Sequence, residues 1–244
     1  WRNRDPKLNK IAIWTYYEGA MRDPGIDEGS TTVAYVPGHG WFWYIPLQGD
    51  RVSVGIVAER DYLHRDGVSD LETIFNREID ENVWIQEHLA TGKRVEGFTP
   101  TGEFSYRSEF CATDGCILAG DAFAFLDPVF SSGVFLALKT GELAADAVDQ
   151  AIEANDFSAA QFENYGKATC DAIERMRALV YAFYDPDFSF GKLIKMNPDL
   201  RPSLTDCLIG DLYEDKFGPL FEAVAEIAER PNLLNYGMKT TATS

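Results

Sequence analysis

A short stretch near the middle of the chain combines an acidic side chain with the start of a helix. Gly120 and Asp121 follow residues 116–119, an apolar run whose pattern predicts a buried strand. After an apolar loop, residues 131–133 read Ser-Ser-Gly and open a predicted long helix. A carboxylate and unpaired backbone N–H groups at the end of a sheet commonly hold polar or anionic ligands. The stretch therefore predicts a ligand site.

Each part of this stretch also has a purely structural explanation. The Asp121 carboxylate could accept hydrogen bonds from the hydroxyls of a ribose or ribityl chain, or pair with backbone N–H groups of its own loop. The first amides of the helix, at Ser132 and Gly133, lack intrahelical partners and attract an anion by about 0.3–1 kcal/mol each. Gly133 has no side chain and lets a ligand approach the backbone closely. An ordinary helix cap would have the same sequence, so both explanations stay open.

A second constellation lies in an aromatic strand. Because side chains alternate along a strand, Trp41, Trp43 and Ile45 share one face of the predicted sheet, and Phe42 and Tyr44 share the other. Two neighbouring tryptophans can form a rigid apolar wall that excludes water and restricts a planar ligand. A well-packed sheet core explains the same pattern.

Composition restricts the partners and the compartment. The net charge of −17 disfavours nucleic acid and anionic lipid, and no apolar run approaches the roughly 20 residues needed to cross a bilayer. No signal peptide precedes the first strand, so we expect a cytoplasmic protein. Neither the cysteines nor the histidines have metal-ligand spacing, and we expect no metal site. The cysteines are expected to be buried free thiols: Cys111, Cys116, Cys170 and Cys207.

Periodicity predicts an α+β chain. Residues 10–60 read as an antiparallel meander, and residues 69–89 as one helix that begins with a capping box. Residues 102–110 read as a strand, and residues 133–154 as a long helix. Beyond residue 156 the chain reads as helical, with helices expected up to about residue 183, over 203–213 and over 217–230, and a frayed tail after Lys239. These elements predict three regions: a sheet layer with one helix (1–110), a strand and helix (111–155) and a helical region (156–244).

Taken together, the two constellations resemble the flavin-dependent halogenases. Trp41-x-Trp43-x-Ile45-Pro46 matches the Trp-x-Trp-x-Ile-Pro signature of that family in full. Residues 125–133 match its second signature, Phe-x-x-Pro-x-x-Ser-x-Gly, which includes Pro128. The Gly-Asp element at 120–121 is shared more widely among flavin monooxygenases and geranylgeranyl-reductase-like enzymes.

This resemblance implies the second half of a p-hydroxybenzoate hydroxylase-like FAD fold, with an antiparallel substrate-side sheet and C-terminal helices. It also implies roles for individual residues. FAD would be bound by Gly120, Asp121, Pro128, Gly133 and Val134, and the halide, chloride or bromide, by the amides of Ser132 and Gly133. Trp41, Trp43, Ile45 and Pro46 would form the wall that keeps substrate away from the flavin. A separate flavin reductase would supply FADH2.

The chain departs from the family pattern in two ways. The family's catalytic Lys and its Gly-x-Gly-x-x-Gly motif belong to an N-terminal half that is not found in this sequence. We therefore expect the chain alone neither to bind FAD tightly nor to halogenate. Second, Phe130 stands where the tryptophan-halogenase branch carries Glu. That difference favours a phenol or a pyrrole as substrate, free or tethered to a carrier protein, with Phe130, Phe183 and Tyr184 as candidate pocket residues.

The sequence thus predicts the C-terminal part of an FADH2-dependent halogenase that acts on an electron-rich aromatic in secondary metabolism. One alternative is a flavin enzyme without halogenation, either a ring hydroxylase or a geranylgeranyl-reductase-like protein. The other is a catalytically silent scaffold domain.

Overall fold

The strands follow the alternating apolar pattern of the chain. The computed structural model describes residues 2–102, 104–229 and 231–234. Within these ranges the strands are β1 (Arg2–Arg4), β2 (Lys10–Glu18), β3 (Thr32–Val36), β4 (Gly40–Pro46), β5 (Arg51–Glu59), β6 (Lys93–Arg94), β7 (Thr99–Thr101), β8 (Tyr106–Ser108), β9 (Ala112–Thr113), β10 (Cys116–Ile117) and β11 (Ala124–Phe125).

Helices follow β5 and then occupy most of residues 133–227. In the described part of the chain they are α1 (Arg60–Leu63), α2 (Leu71–Asp80), α3 (Val83–Leu89), α4 (Gly133–Ala154), α5 (Glu163–Tyr184), α6 (Phe190–Met196), α7 (Arg201–Leu208) and α8 (Gly218–Ile227). Contacts divide the chain into two compact units, one of Lys7–Phe104 and the other of the described residues on either side of that range.

The unit of Lys7–Phe104 is an antiparallel sheet with helices on one face. The strand order is β3-β4-β5-β2-β6, and β7 also pairs with β2. Phe42 and Ile56, both fully buried, pack in one core with Ile74 and Phe75 of α2. The alternate positions of β4, which include Trp41 and Trp43, therefore lie on the other face. The predicted antiparallel sheet is confirmed.

One predicted helix of this unit is two helices. The Asp70 carboxylate, rather than Ser69, caps α2 by accepting a hydrogen bond from Thr73 N–H at 2.8 Å. The Asn82 side chain accepts one from Ile85 N–H at 3.2 Å and caps α3. Because Asn82 offers a local cap of its own, the helix ends at Asp80 and restarts at Val83 although the apolar spacing continues.

The other unit is mainly helical. A three-stranded sheet of order β1-β8-β11 lies in this unit. Helices α4 and α5 are each 22 residues long, and α5 supplies much of the core, whereas α4 buries Thr140, Ala144 and Ala151. Buried charge is neutralised internally. The guanidinium of Arg177, 1% exposed, donates from Nε to Asp5 at 2.5 Å and from Nη1 to Glu174 at 2.9 Å.

The predicted bounds of the long helix, 133–154, are confirmed, but several shorter elements differ. The strand expected over 102–110 is limited to β8, and the helices expected over 203–213 and 217–230 are α7 and α8. The strand expected over 116–119 is only the two-residue β10, paired with β9. The tail after Lys239 lies outside the described residues. The three-region division stays a prediction.

The cysteines bear out the thiol prediction except at one position. The described part of the chain holds them as free thiols, and Cys111, Cys170 and Cys207 are buried. Burial raises the pKa of Cys111 to about 11 and that of Cys170 to about 12. Cys116 is exposed, so its predicted burial is wrong. The reason is that β10 forms a two-residue hairpin with β9 instead of the predicted buried strand.

Metal binding and membrane insertion each require a particular grouping among the described residues. No group of three or more His, Cys, Asp or Glu side chains among them is placed to hold a metal ion. No helix among them is long and apolar enough to span a bilayer. The expectation of a cytoplasmic location stays a prediction.

Candidate functional site

The Gly120–Asp121 element forms a tight turn held against α4. Gly120 adopts φ +54°, and a Cβ at this position would lie 3.1 Å from the Cβ of Ala137. The Gly120 N–H donates to Thr140 Oγ1 at 2.9 Å. The Tyr106 hydroxyl donates to the Asp121 carbonyl at 2.5 Å. Two side chains from separate elements therefore fix the backbone of this turn.

The turn leaves the carboxylate of Asp121 accessible. Asp121 is exposed and sits in the first turn of a short 3-10 helix whose N-cap, Ala119, makes no side-chain bond. Within the described residues, the Asp121 carboxylate accepts no hydrogen bond from a backbone N–H. The Asp121 carboxylate therefore does not pair with the amides of its own loop, and it is available to a ligand hydroxyl.

A second turn leads into α4 and fixes where that helix begins. Pro128–Phe130 is a 3-10 turn, and Asp127 caps it by accepting from Val129 N–H at 3.2 Å. Ser131 then adopts a left-handed conformation at φ +54°, which costs a non-glycine residue energy. Ser132 is buried and its side chain makes no capping bond, so the hydroxyl does not occupy the N-terminal amides of α4.

One cavity brings most of the predicted ligand residues together. It has a volume of about 40 Å³ and is mostly apolar, and it is lined by Gly120, Asp121, Pro128, Ser132 and Gly133 among others. Nothing lies within 4 Å of the position that a Cβ of Gly133 would take, so there is room beside this backbone. Val134 does not line the cavity, and 75% of its surface is exposed.

The Trp motif lies in the unit of Lys7–Phe104. The rings of Trp41 and Trp43 have centroids 6.1 Å apart, and Trp14 of β2 lies 6.1 Å from Trp43 on its other side. Trp41 is buried, whereas Trp43 is half-buried. Ile45 and Pro46, also half-buried, complete the motif at the end of β4. Tryptophans from two strands therefore form a continuous aromatic face.

Trp43 has a defined seat on the sheet. Gly55 of β5 pairs with Trp43 on one side and with Trp14 on the other. The indole ring of Trp43 occupies the space that a side chain at Gly55 would fill. Its Nε1–H donates to Ser53 Oγ at 3.1 Å. The face is thus positioned by a glycine and a serine that carry no aromatic group.

The candidate pocket residues meet in the mainly helical unit. The ring of Phe130 makes edge-to-face contacts with Phe183 at 6.1 Å and with Phe190 at 5.9 Å. Tyr184 makes a similar contact with Phe183 at 5.3 Å. The Tyr184 hydroxyl donates to Asp127 Oδ2 at 2.9 Å. Phe130 is therefore held by aromatic rings, whereas Tyr184 uses its polar end within the protein.

Sequence reasoning missed six residues that position the candidate site. Trp14, Ser53 and Gly55 fix the aromatic face, and Tyr106, Asp127 and Thr140 fix the two turns. A lone glycine inside a strand often marks a close approach, so Gly55 carried a signal. Asp127 also carried a local signal, because it caps a turn through Val129, only two residues away. The other residues have partners that are distant in sequence, and no local pattern marks them.

Comparisons with known proteins agree with the motifs. The family model for tryptophan halogenases matches residues 21–190. A 1H-pyrrole-2-carbonyl-(peptidyl-carrier protein) brominase of Pseudoalteromonas luteoviolacea is 32% identical over 205 residues, covering 84% of this chain and 50% of that protein. The corresponding chlorinase of Pseudomonas fluorescens is 27% identical over 232 residues, covering 93% of this chain and 51% of that protein. The solved flavin-dependent brominase Bmp2 matches with a TM-score of 0.83 and 28% identity, over 92% of this chain and 57% of that one.

The chain therefore belongs to the tryptophan halogenase family. The resemblance drawn from its two motifs is confirmed, and so is the α+β fold class, since the sheet and helices superpose on a flavin-dependent brominase. The chain spans about half the length of the curated relatives it matches.

Proposed function

We propose that the protein is an FADH2-dependent halogenase that uses O2 and chloride or bromide to halogenate an electron-rich aromatic, and that this chain is its C-terminal part. The observation that carries the proposal is the cavity that joins the Gly120–Asp121 turn to the start of α4. The two elements are separated by a loop in the sequence and meet at this cavity. The turn supplies the carboxylate of Asp121 for a ligand hydroxyl, and the helix start supplies backbone amides for an anion.

The residues around this cavity fit FAD. The exposed Asp121 carboxylate suits hydrogen bonds from ribityl hydroxyls, and the open space beside Gly133 admits a planar ring close to the backbone. Gly120, Pro128 and Val134 complete the proposed binding set. When bound, reduced FAD supplies the electrons that activate O2 for oxidation of the halide.

The start of α4 is proposed to bind the halide. The amides of Ser132 and Gly133 lie at the positive end of a 22-residue helix, where an anion is favoured. A cavity of about 40 Å³ has roughly three times the space that a single water needs, so a chloride or bromide ion fits. The apolar lining removes competing water from the anion.

The substrate is proposed to be a pyrrole or a phenol. The two curated relatives reported above are named for a pyrrole held on a peptidyl-carrier protein, which makes a carrier-tethered pyrrole the first choice. Phe130, where the tryptophan-halogenase branch carries Glu, and its aromatic neighbour Phe183 are proposed to line the pocket. Trp41, Trp43, Ile45 and Pro46 are proposed to keep that substrate from the flavin. A separate flavin reductase and the carrier protein are the proposed partners, in the cytoplasm.

The direct test supplies every proposed component. The complete protein is incubated with FAD, a flavin reductase, NADH, air, bromide or chloride, and a pyrrole-2-carboxyl group on a carrier protein or a free phenol. Mass spectrometry is expected to show a halogenated product that disappears when halide is left out. A hydroxylated product without halogen would support the flavin monooxygenase alternative, and no product with any substrate would support the silent scaffold.

A variant pair tests the anion site. Gly133→Leu fills the space beside the cavity. It is expected to lower the turnover number, and the dependence of the rate on halide concentration, at least tenfold, with folding retained. Gly191→Leu is the matched control, because Gly191 also lies in the first turn of a helix, has room for a side chain and does not line the cavity. Equal activity of the two variants would reject the site assignment.

A further inference from the structure

Tyr184 connects the end of α5 to the turn that precedes α4. Its hydroxyl donates to Asp127 Oδ2 at 2.9 Å. Asp127 is 1% exposed, and its Oδ1 accepts from Val129 N–H at 3.2 Å. One buried carboxylate thus joins a side chain at the end of a long helix to a backbone amide inside the turn.

The turn that Asp127 caps sets the position of the next three residues. The Ser131 N–H donates to the Pro128 carbonyl at 2.8 Å and closes the turn. Ser131 then takes the left-handed conformation, Ser132 is buried, and Gly133 is the first residue of α4. A non-glycine residue at positive φ persists only where its surroundings hold it, so the hydrogen bonds around Asp127 have a direct consequence for the helix start.

We infer that Tyr184 is a positioning residue that acts through Asp127 to hold the amides of Ser132 and Gly133 in place for the halide. The inference rests on the proposed function, and it replaces the expectation that Tyr184 lines the substrate pocket. A buried carboxylate must be hydrogen-bonded to offset its desolvation. Loss of the tyrosine donor therefore weakens the cap, destabilises the turn and increases the positional disorder of the two amides.

Hydrogen exchange on the complete protein tests the positioning without any ligand. In Tyr184→Phe, the amides of Val129 and Ser131 are expected to exchange at least about tenfold faster than in the wild type, as loss of one hydrogen bond to a charged group implies. Tyr181→Phe is the matched control, because Tyr181 lies one turn earlier on α5 and donates to another buried carboxylate, Asp5, at 2.5 Å. Its exchange at the turn is expected to stay within twofold of the wild type.

A double variant asks whether Tyr184 acts through Asp127. Asp127→Ala removes the acceptor and is expected to speed exchange at the turn at least as much as Tyr184→Phe. Adding Tyr184→Phe to Asp127→Ala should then change exchange by less than twofold. If Tyr184→Phe alone does not fold, Asp127→Asn, which loses the charge but keeps an acceptor oxygen, is measured instead and should exchange two- to fivefold faster than the wild type. Independent effects of the two changes, or unchanged exchange in Tyr184→Phe or its substitute, would overturn the inference.

Kinetics distinguish a positioning role from a pocket role. In the flavin-loaded enzyme, Tyr184→Phe is expected to raise KM for bromide about fivefold while KM for the aromatic substrate and kcat stay within twofold. A rise confined to KM for the aromatic substrate would return Tyr184 to the pocket and reject the inference. If the wild type makes no halogenated product, the proposed function fails, and the exchange measurement still decides whether Tyr184 holds the turn.

Discussion

The packing of the Trp43 ring over Gly55 predicts a loss of stability on Gly55→Ala, and its magnitude follows from the structure. A Cβ added at Gly55 would lie 2.2 Å from Cζ2, 2.4 Å from Cη2 and 2.5 Å from Cε2 of the indole ring. Ordinary contact begins near 3.4 Å, so the ring has to move by about 1 Å or more. Three atoms of a rigid bicyclic ring are involved, and no flexible end can bend away.

The cost of Gly55→Ala has two parts and one compensation. Overpacking of a filled site costs about 1–3 kcal/mol. Displacement of the ring also stretches the hydrogen bond from Trp43 Nε1 to Ser53, at 3.1 Å in the wild type, for about 1 kcal/mol. Replacing a strand glycine by alanine returns about 0.5–1 kcal/mol of backbone entropy. We therefore expect the free energy of unfolding to fall by about 2 kcal/mol.

A double-mutant cycle measured by urea unfolding checks this account. With Trp43→Ala in place the clash is gone, and Gly55→Ala is expected to be neutral or to stabilise by about 0.5 kcal/mol. Ser53→Ala measures the hydrogen bond by itself, at about 1 kcal/mol. If Gly55→Ala costs the same with and without the indole ring, the ring is not what occupies this space and the reasoning is wrong.

Three further predictions concern buried groups. The Tyr213 hydroxyl is buried with no hydrogen-bond partner among the described residues, so Tyr213→Phe should stabilise the protein by about 1 kcal/mol in urea unfolding. The Tyr44 hydroxyl donates to the Met21 carbonyl at 2.6 Å, so Tyr44→Phe should destabilise the protein by about 1 kcal/mol. The same sign for both variants would contradict the account. Burial raises the pKa of both tyrosines to about 12, so the folded protein keeps protons that the unfolded chain loses near pH 10. The free energy of unfolding should therefore fall between about pH 10 and 12, and it should fall less steeply in either variant. A maleimide at pH 7 should label Cys116 quickly and the buried thiols at least tenfold more slowly, as measured by peptide mass spectrometry. Fast labelling of a second cysteine would contradict the burial described above.

The parts of the fold that follow from local pattern were predictable. The alternation of Trp41, Phe42, Trp43 and Tyr44 separates two faces of β4, as expected, and the structure buries Phe42 and Tyr44 against helices. The long helix was bounded correctly because Gly133 and a continuous apolar period mark its start and course. In both cases residues close in sequence determine the outcome.

The missed features depend on partners that are distant in sequence or on competing local signals. Asn82 breaks a helix because its side chain caps the next one, although the apolar spacing runs on past it. Cys116 was expected inside a buried strand, and only the pairing of β9 with β10 reveals a short hairpin that leaves Cys116 exposed. Gly55 signals a close approach, but its partner Trp43 emerges only when the strand register is known.

The spacing of the second halogenase signature has a backbone explanation in this structure. Pro128 opens a 3-10 turn, Ser131 takes positive φ at its end, and Gly133 begins α4. The signature therefore specifies the path of the chain, while the residue that caps the turn, Asp127, stands between its specified positions. It follows that a relative could keep every letter of the signature and still lose the geometry if the carboxylate at the Asp127 position or its tyrosine donor were replaced. Family membership and a correctly positioned helix start are thus separable properties, and the residues between the motif letters decide the second.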